Sequence, residues 1–265
     1  MSAAGEVLRP AQKQDIPELL DLWLAVFDEK REAAELFFNR NLNYTHGYIT
    51  QLGGRIIAAV YLIDGSVNGR KAHYLCGAGT LPEFRGRGVM SRLIGFALAD
   101  AKDRGDVYSL LYPANDGLYD FYARLGYQSV CTQTARAFTR QSLKEAFEAE
   151  NQPCSKTNIL LQNNSFMDFA IHYYACYGVR AVRYQNCFAL TEENKEEAVV
   201  FYFDYDDPKA FAEMLLQNSC AERITLCGKS DSPLLKGGDP ERCGMAKQLG
   251  TLPLPRDIYI GITLN

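Results

Sequence analysis

Apolar positions change their period several times along the chain, and each change marks an element. Val7 to Arg9 reads as a short edge strand. Leu19, Leu20, Trp23, Leu24 and Phe27 then share one face of a helix, with Asp15 as its N-cap, Pro17 in its first turn and an end near Asp28. A second helix, rich in Ala, Leu and Phe, is expected over Glu32 to Asn39. Strand-like runs follow at Tyr48 to Leu52 and Arg55 to Ile63, and Gly53-Gly54 between them is a hairpin signal. A turn over Gly65 to Gly69 leads into a strand from Ala72 to Thr80, which Pro82 ends because it has no N–H for a ladder. The period returns to helical for Val89, Met90, Leu93, Ile94, Ala97, Leu98 and Ala101, and Gly105 closes that helix. Val107 to Tyr112 is a further strand, parallel to Ala72 to Thr80 because a helix lies between them.

Beyond Pro113, Asn115-Asp116-Gly117 makes a turn, Leu118 to Leu125 a short helix stopped by Gly126, and Tyr127 to Arg140 an extended run. Gln141 to Gln152 reads as a half-solvated connector helix. The second half predicts a helix over Phe166 to Tyr177 and strands at Cys187 to Thr191 and Ala198 to Tyr205. After these come a helix from Asp207-Pro208 to Leu216 and strands at Arg223 to Cys227 and Ile258 to Leu264. This order of helix, paired strands, helix and strand suggests a shortened copy of the first half's fold. The expected class is α/β (α+β), a mixed and mostly antiparallel sheet flanked by helices with a second, smaller α/β domain. The expected division is 1–140, a connector at 141–152, and 153–265.

One stretch carries the chemistry. Between the Ala72 to Thr80 strand and the next helix stands Arg85-Gly86-Arg87-Gly88. Two residues without Cβ let a ligand approach the backbone, and the first-turn N–H groups of the helix have no partner inside it. Such a turn suits an anion, and the two arginines suit phosphate oxygens. A Walker loop would require Gly-Lys-Ser/Thr where Gly88-Val89-Met90 stands, and a dinucleotide fingerprint would require a third glycine at Ser91.

Arg85 to Met90 resembles the coenzyme A pyrophosphate loop, R/Q-x-x-G-x-G/A, of the GCN5-related N-acetyltransferase (GNAT) superfamily, with Met90 in place of the final small residue. Asn115 to Tyr127 resembles that superfamily's second signature, N-x-x-A-x-x-F-Y-x-K-x-G-F, with Leu118 in place of the small residue, Arg124 for Lys and Tyr127 for Phe. The resemblance covers about the first 140 residues and implies a GNAT fold. Eis-type acetyltransferases have a second, degenerate half of the kind expected here. The resemblance further implies acetyl-CoA as cosubstrate, its pantetheine arm on the opened edge of the Ala72 to Thr80 strand. Its contacts would be Ala78, Gly79 and Thr80, then Arg85, Gly86, Arg87, Gly88, Val89 and Met90, with Asn115 and Tyr119 completing the seat. Backbone donors around Ala78 to Thr80 would meet the oxyanion of the transferring acetyl group, and Tyr122, at the signature tyrosine, would protonate the leaving thiolate. The general base stays open among Glu83, carboxylates of the variable helices and a water chain. By resemblance to Eis-type enzymes, the terminal carboxylate at Asn265 joins them.

Composition narrows the partners. A formal charge of -4 argues against nucleic acid, and no apolar run reaches membrane-spanning length. Met1 to Pro10 lacks a signal pattern, so a cytoplasmic protein is expected, either monomer or homodimer. The eight cysteines include no C-x-x-C pair and read as reduced core residues. His46, His73 and His172 show no metal-ligand spacing, so no metal is expected. His73 reads as solvated or at a sheet edge, His172 as packed. Asp204, Asp206 and Asp207 read as helix capping, and Glu192, Glu193, Glu196 and Glu197 as a solvated turn. The reaction expected is direct acetyl transfer to a primary amine of a small molecule. The alternatives are a coenzyme A-binding regulatory module without transfer chemistry, or transfer to a protein or peptide amine.

Overall fold

The computed structural model describes residues 5–40, 45–150 and 152–264. The hairpin signals build a meander of β1 (Glu6–Pro10), β2 (Thr45–Leu52), β3 (Arg55–Val67) and β4 (Arg70–Thr80), each antiparallel to the last. Helices α1 (Ile16–Val26) and α2 (Arg31–Arg40) leave the meander between β1 and β2, and α3 (Val89–Asp103) connects β4 to β5 (Tyr108–Leu111). After α4 (Asp116–Arg124) come β6 (Gln128–Thr139), α5 (Arg140–Glu148), β7 (Leu160–Gln162) and α6 (Asn164–Ala175). The chain then forms β8 (Arg180–Tyr184), β9 (Cys187–Glu193), β10 (Glu197–Asp204), α7 (Pro208–Asn218), β11 (Arg223–Lys229) and β12 (Asp239–Gln248). The mixed α/β fold expected from the pattern is present.

All twelve strands form one sheet in the order β1-β2-β3-β4-β5-β12-β6-β11-β10-β9-β8, with β7 against β3. The first half runs β3 antiparallel to β4, β4 parallel to β5, and β5 antiparallel to β12. The second half repeats this as β9, β10, β11 and β6. The strand that follows each parallel pair comes from the other half of the sequence, so the sheet runs unbroken across the expected boundary at 141–152. Helix α5, read as a connector, buries Leu143 and Phe147 in the same apolar cluster as Phe211 and Met214 of α7.

Helices cover both faces. One face of β3 and β4 presents Ala59, Tyr61, Tyr74 and Cys76 to Trp23 of α1, Phe37 of α2 and Phe169 of α6. The other presents Val60, Leu62 and Leu75 to Leu93, Ile94 and Ala97 of α3 and to Tyr122 of α4. Burial on both faces explains why β3 reads as a nearly continuous apolar run.

Several expectations change. Asp15 is not a side-chain cap for α1; it accepts two bonds from Arg9, at 2.7 and 2.8 Å, and one from the Gln12 N–H. The turn expected over Gly65 to Gly69 is confined to Asn68 and Gly69, because Gly65 to Val67 stay paired with Arg70 to Ala72. Ile258 to Leu264 forms no strand: only Ile258 and Tyr259 make isolated bridges, and Gly261 at φ +75° breaks the extension. Its isoleucines are apolar because Ile258, Ile260 and Ile262 fill the core. His73 is fully buried, between Asp106 at 2.7 Å and the Ser109 hydroxyl at 2.7 Å. His172 is exposed, 2.7 Å from the Asp168 carbonyl. Glu193 accepts from Ser219 and from the Cys220 and Ala221 N–H groups, and Glu197 accepts from Thr225 and Arg223, so both brace neighbouring segments. All eight cysteines are free thiols.

Candidate functional site

Parallel pairing of β4 with β5 lasts only from Ala72–Tyr108 to Leu75–Leu111. β4 continues to Thr80 while β5 stops, so the sheet opens as a wedge. A bulge sits at the opening: Ala59 faces Gly79 and Tyr61 faces Cys76, leaving Gly77 and Ala78 together opposite Val60. A bulge releases backbone groups from the ladder. Gly77 adopts φ +57°, and a Cβ there would lie 2.5 Å from the Trp23 ring, so the bend depends on glycine.

A cavity of about 1000 Å³ fills the wedge and extends between the halves. Cys76, Gly77 and Ala78 form its floor, and Trp23, Phe27 and Glu29 line it from the α1 side. Tyr112 and Tyr122 line it from the loop before α4 and from α4; Tyr173 and Tyr174 from α6 and Tyr177 from the turn after it; and Glu192 and Phe201 from β9 and β10. Tyr122 is 7% exposed, and its hydroxyl has no hydrogen-bond partner among the described residues. Burial, reinforced by the nearby Cys76 thiol, pushes this phenol up to about 12. It therefore carries its proton at neutral pH.

Beyond Thr80, Pro82–Phe84 forms a short 3-10 turn, and Arg85 to Gly88 leads into α3. Gly86 at φ +74° and Gly88 at φ +71° provide the left-handed turns that place backbone N–H groups around a concavity. Gly88 is the N-cap of α3, which has no side-chain cap and no acidic residue in its first turn. Its first N–H groups and positive dipole end face outward. At α7, the corresponding helix of the second half, the Asp207 carboxylate takes the Lys209 and Ala210 N–H groups. Only α3 of this pair offers an anion seat. Arg92, gripped by Glu6 at 2.8 and 2.9 Å, donates to the Arg87 carbonyl at 3.0 Å and fixes the turn. Arg85 donates through Nε to the Thr80 carbonyl at 3.0 Å, and Arg87 lies over Phe84 at 5.7 Å. Both arginines are exposed; Val89, the first residue of α3, is buried and Met90 is half-buried.

Asn115 accepts the Leu118 N–H at 3.2 Å and so caps α4, which engages the side chain expected to touch a cofactor. The ring of Tyr119 carries the Arg242 guanidinium, from β12, at 3.7 Å. The structure thus gathers Ala78 and Tyr122 around one cavity, with Gly79 and Thr80 continuing β4 toward the glycine turn of Arg85 to Met90. Asn115 is engaged as the cap of α4, and Tyr119 by Arg242 of β12. Glu83 is exposed, pairs with Arg55 at 3.0 Å and does not line the cavity. Asn265 lies outside the described residues; Leu264 lines the cavity, its N–H on the Tyr74 hydroxyl at 3.3 Å.

Glu29 and Arg242 carried no sequence signal, because their partners are distant in the chain: Tyr173 stands 144 residues from Glu29, and Tyr119 stands 123 from Arg242. Among the described residues no three His, Cys, Asp or Glu side chains converge as a metal site, and no helix is long and apolar enough to cross a membrane.

An opened parallel pair, a glycine turn at the following helix and this strand order are the features of the GNAT fold. Residues 7–130 match the family model described as acetyltransferase (GNAT) domain. Solved structures extend the likeness across both halves. A conserved protein of unknown function from Enterococcus faecalis V583 aligns with a TM-score of 0.73 at 15% identity, over 92% of this chain and 73% of its own. A GCN5-related N-acetyltransferase from Kribbella flavida gives 0.68 at 17%, over 92% and 72%. Eis1 from Mycobacterium abscessus gives 0.67 at 14%, over 92% and 73%. At these identities the likeness is one of fold. No curated protein sequence matches the chain.

Proposed function

We propose that this protein transfers the acetyl group of acetyl-CoA to a primary amine of a small molecule by direct attack. The observation that carries this reading is the meeting, in one cavity, of the opened β4 edge with the buried, protonated Tyr122. The glycine turn and the uncapped start of α3 would hold the pyrophosphate, and the free edge beyond Leu75 would pair with the pantetheine arm. In the transfer a C–N bond forms, the C–S bond breaks, nitrogen loses a proton and sulfur gains one. N–H groups of the Gly77–Ala78 bulge are suited to the charge that develops on the acetyl oxygen, and Tyr122 to protonating the thiolate. A cavity walled by helices and strands of both halves suits a small acceptor better than an extended peptide.

Thiol release in the presence of amines measures the reaction. Tyr122→Phe is expected to lower kcat by about 100-fold or more, the usual worth of a general acid, while acetyl-CoA still raises Tm as in the parent. Unchanged turnover in that variant would remove Tyr122 from the mechanism.

A further inference from the structure

The acceptor side of the cavity has its own charge pattern. Glu29 stands in the turn between α1 and α2 and lines the cavity. One carboxylate oxygen accepts the Trp23 indole N–H; the other accepts the hydroxyls of Tyr173 and Tyr177, the latter at 2.8 Å. Two elements from opposite halves, α1 and α6, therefore hold this one carboxylate. All three donors are neutral, so they orient the group without compensating its charge. A carboxylate offers about four acceptor directions, so one remains. Lys30, the adjacent ammonium, donates to the Cys176 carbonyl at 2.5 Å and lies over the Tyr177 ring at 5.2 Å. Asp28 and Glu192 also line the cavity, whereas no Lys, Arg or His does among the described residues. Independently, Tyr122, nine-tenths buried and with its hydroxyl in no hydrogen bond among the described residues, lines the same space, where the acetyl-transfer reading places the reacting atoms.

Resting on the acetyl-transfer reading, we propose that the acceptor carries a second cationic nitrogen, and that Glu29 is the positioning residue that binds it. The reason is chemical. A nitrogen attacks a thioester only as the neutral amine, and a carboxylate beside it would favour the protonated form. Glu29 therefore suits a nitrogen that stays charged while another one reacts. The tyrosine and tryptophan rings around it add cation–π attraction. A diamine, or an amine with another permanent cation, fits this chemistry; a monoamine leaves the carboxylate unanswered.

The test compares 1,5-diaminopentane with pentylamine, first as ligands of the protein saturated with CoA, by calorimetry, and then as acetyl acceptors. The diamine is expected to bind at least tenfold more tightly, in line with about 10- to 100-fold for a charged hydrogen bond. Glu29→Gln should cut that ratio to about threefold or less, and in turnover the change should fall on the KM of the diamine. Glu192→Gln should move the ratio in the same direction by a smaller factor. The Tm rise with acetyl-CoA verifies that each variant folds and keeps the cosubstrate seat. Equal affinities, no binding of either amine, or a preference that survives Glu29→Gln would overturn the proposal. Acetylation of both amines at equal kcat/KM would also overturn it while leaving the transfer reading intact. Failure of transfer itself would appear separately, as binding of the diamine without thiol release.

Discussion

At Gly77 two constraints meet on one residue: a left-handed backbone at φ +57°, and aromatic carbons of Trp23 and Tyr61 at 2.5 and 2.8 Å from any added Cβ. Gly77→Ala should cost about 3 kcal/mol, combining left-handed strain with overpacking, and lower Tm by roughly 5 to 10 °C in calorimetry. A variant that melts like the parent would mean that the bulge can relax. The buried relay around His73 makes a different prediction. Its hydrogen bonds form one consistent chain, from the Tyr127 hydroxyl to Ser109, from Ser109 to His73 Nε2, and from His73 Nδ1–H to Asp106, only while the imidazole is neutral. Burial holds His73 below its ordinary value of 6.5, and Asp106 is kept low because bonds from His73 and Lys71 outweigh its own burial. The unfolded chain then binds a proton that the native state refuses. Stability is full above about pH 6.5 and should fall by up to about 1.4 kcal/mol per pH unit as pH drops toward 5. His73→Asn should remove that part of the slope in denaturant titrations; an unaltered slope would show that His73 is not its source. At this scale the sequence discloses features set by local geometry, such as the left-handed turns at Gly86 and Gly88. It hides His73, Glu29 and Arg242, whose environments are assembled from distant segments.

Among the elements, β12 behaves least like its sequence. Asp239 to Gln248 is polar and contains Pro240, so neither period nor propensity suggests a strand, yet it lies between β5 and β6 and pairs with both. Its place is set by the two edges it joins. The β2–β3 hairpin and the β4–α3–β5 unit were legible because turn glycines and apolar period act over a few residues. The apolar run at Ile258 to Leu264 misleads in the other direction, since it is buried as core filler and its backbone makes only isolated bridges. A fragment ending at Gln152 keeps both GNAT signatures but loses β12, exposing unpaired edges on β5 and β6. Such a fragment should aggregate or melt without a cooperative transition by circular dichroism. A sharp, reversible melt would show that the first half folds without the second.

For the molecule as a whole, one sheet carries two similar wedges, and only the first leads into an uncapped helix. In the second, the Cys154 N–H donates to the Tyr205 carbonyl at 2.9 Å beside a smaller cavity of about 470 Å³, and the Asp207 carboxylate already takes the first N–H groups of α7. The second half contributes instead to the walls of the first half's cavity. The central claim is that the first wedge and its glycine turn bind acetyl-CoA, and the melting temperature tests it most directly. At about 100 times the dissociation constant, binding to the native state adds roughly 2.7 kcal/mol, or very roughly 5 to 10 °C for a chain of this size. We predict that rise for the parent, and its loss in Gly88→Glu relative to that variant's own melting point without ligand. No rise in the parent, or a rise that Gly88→Glu retains, would contradict the account.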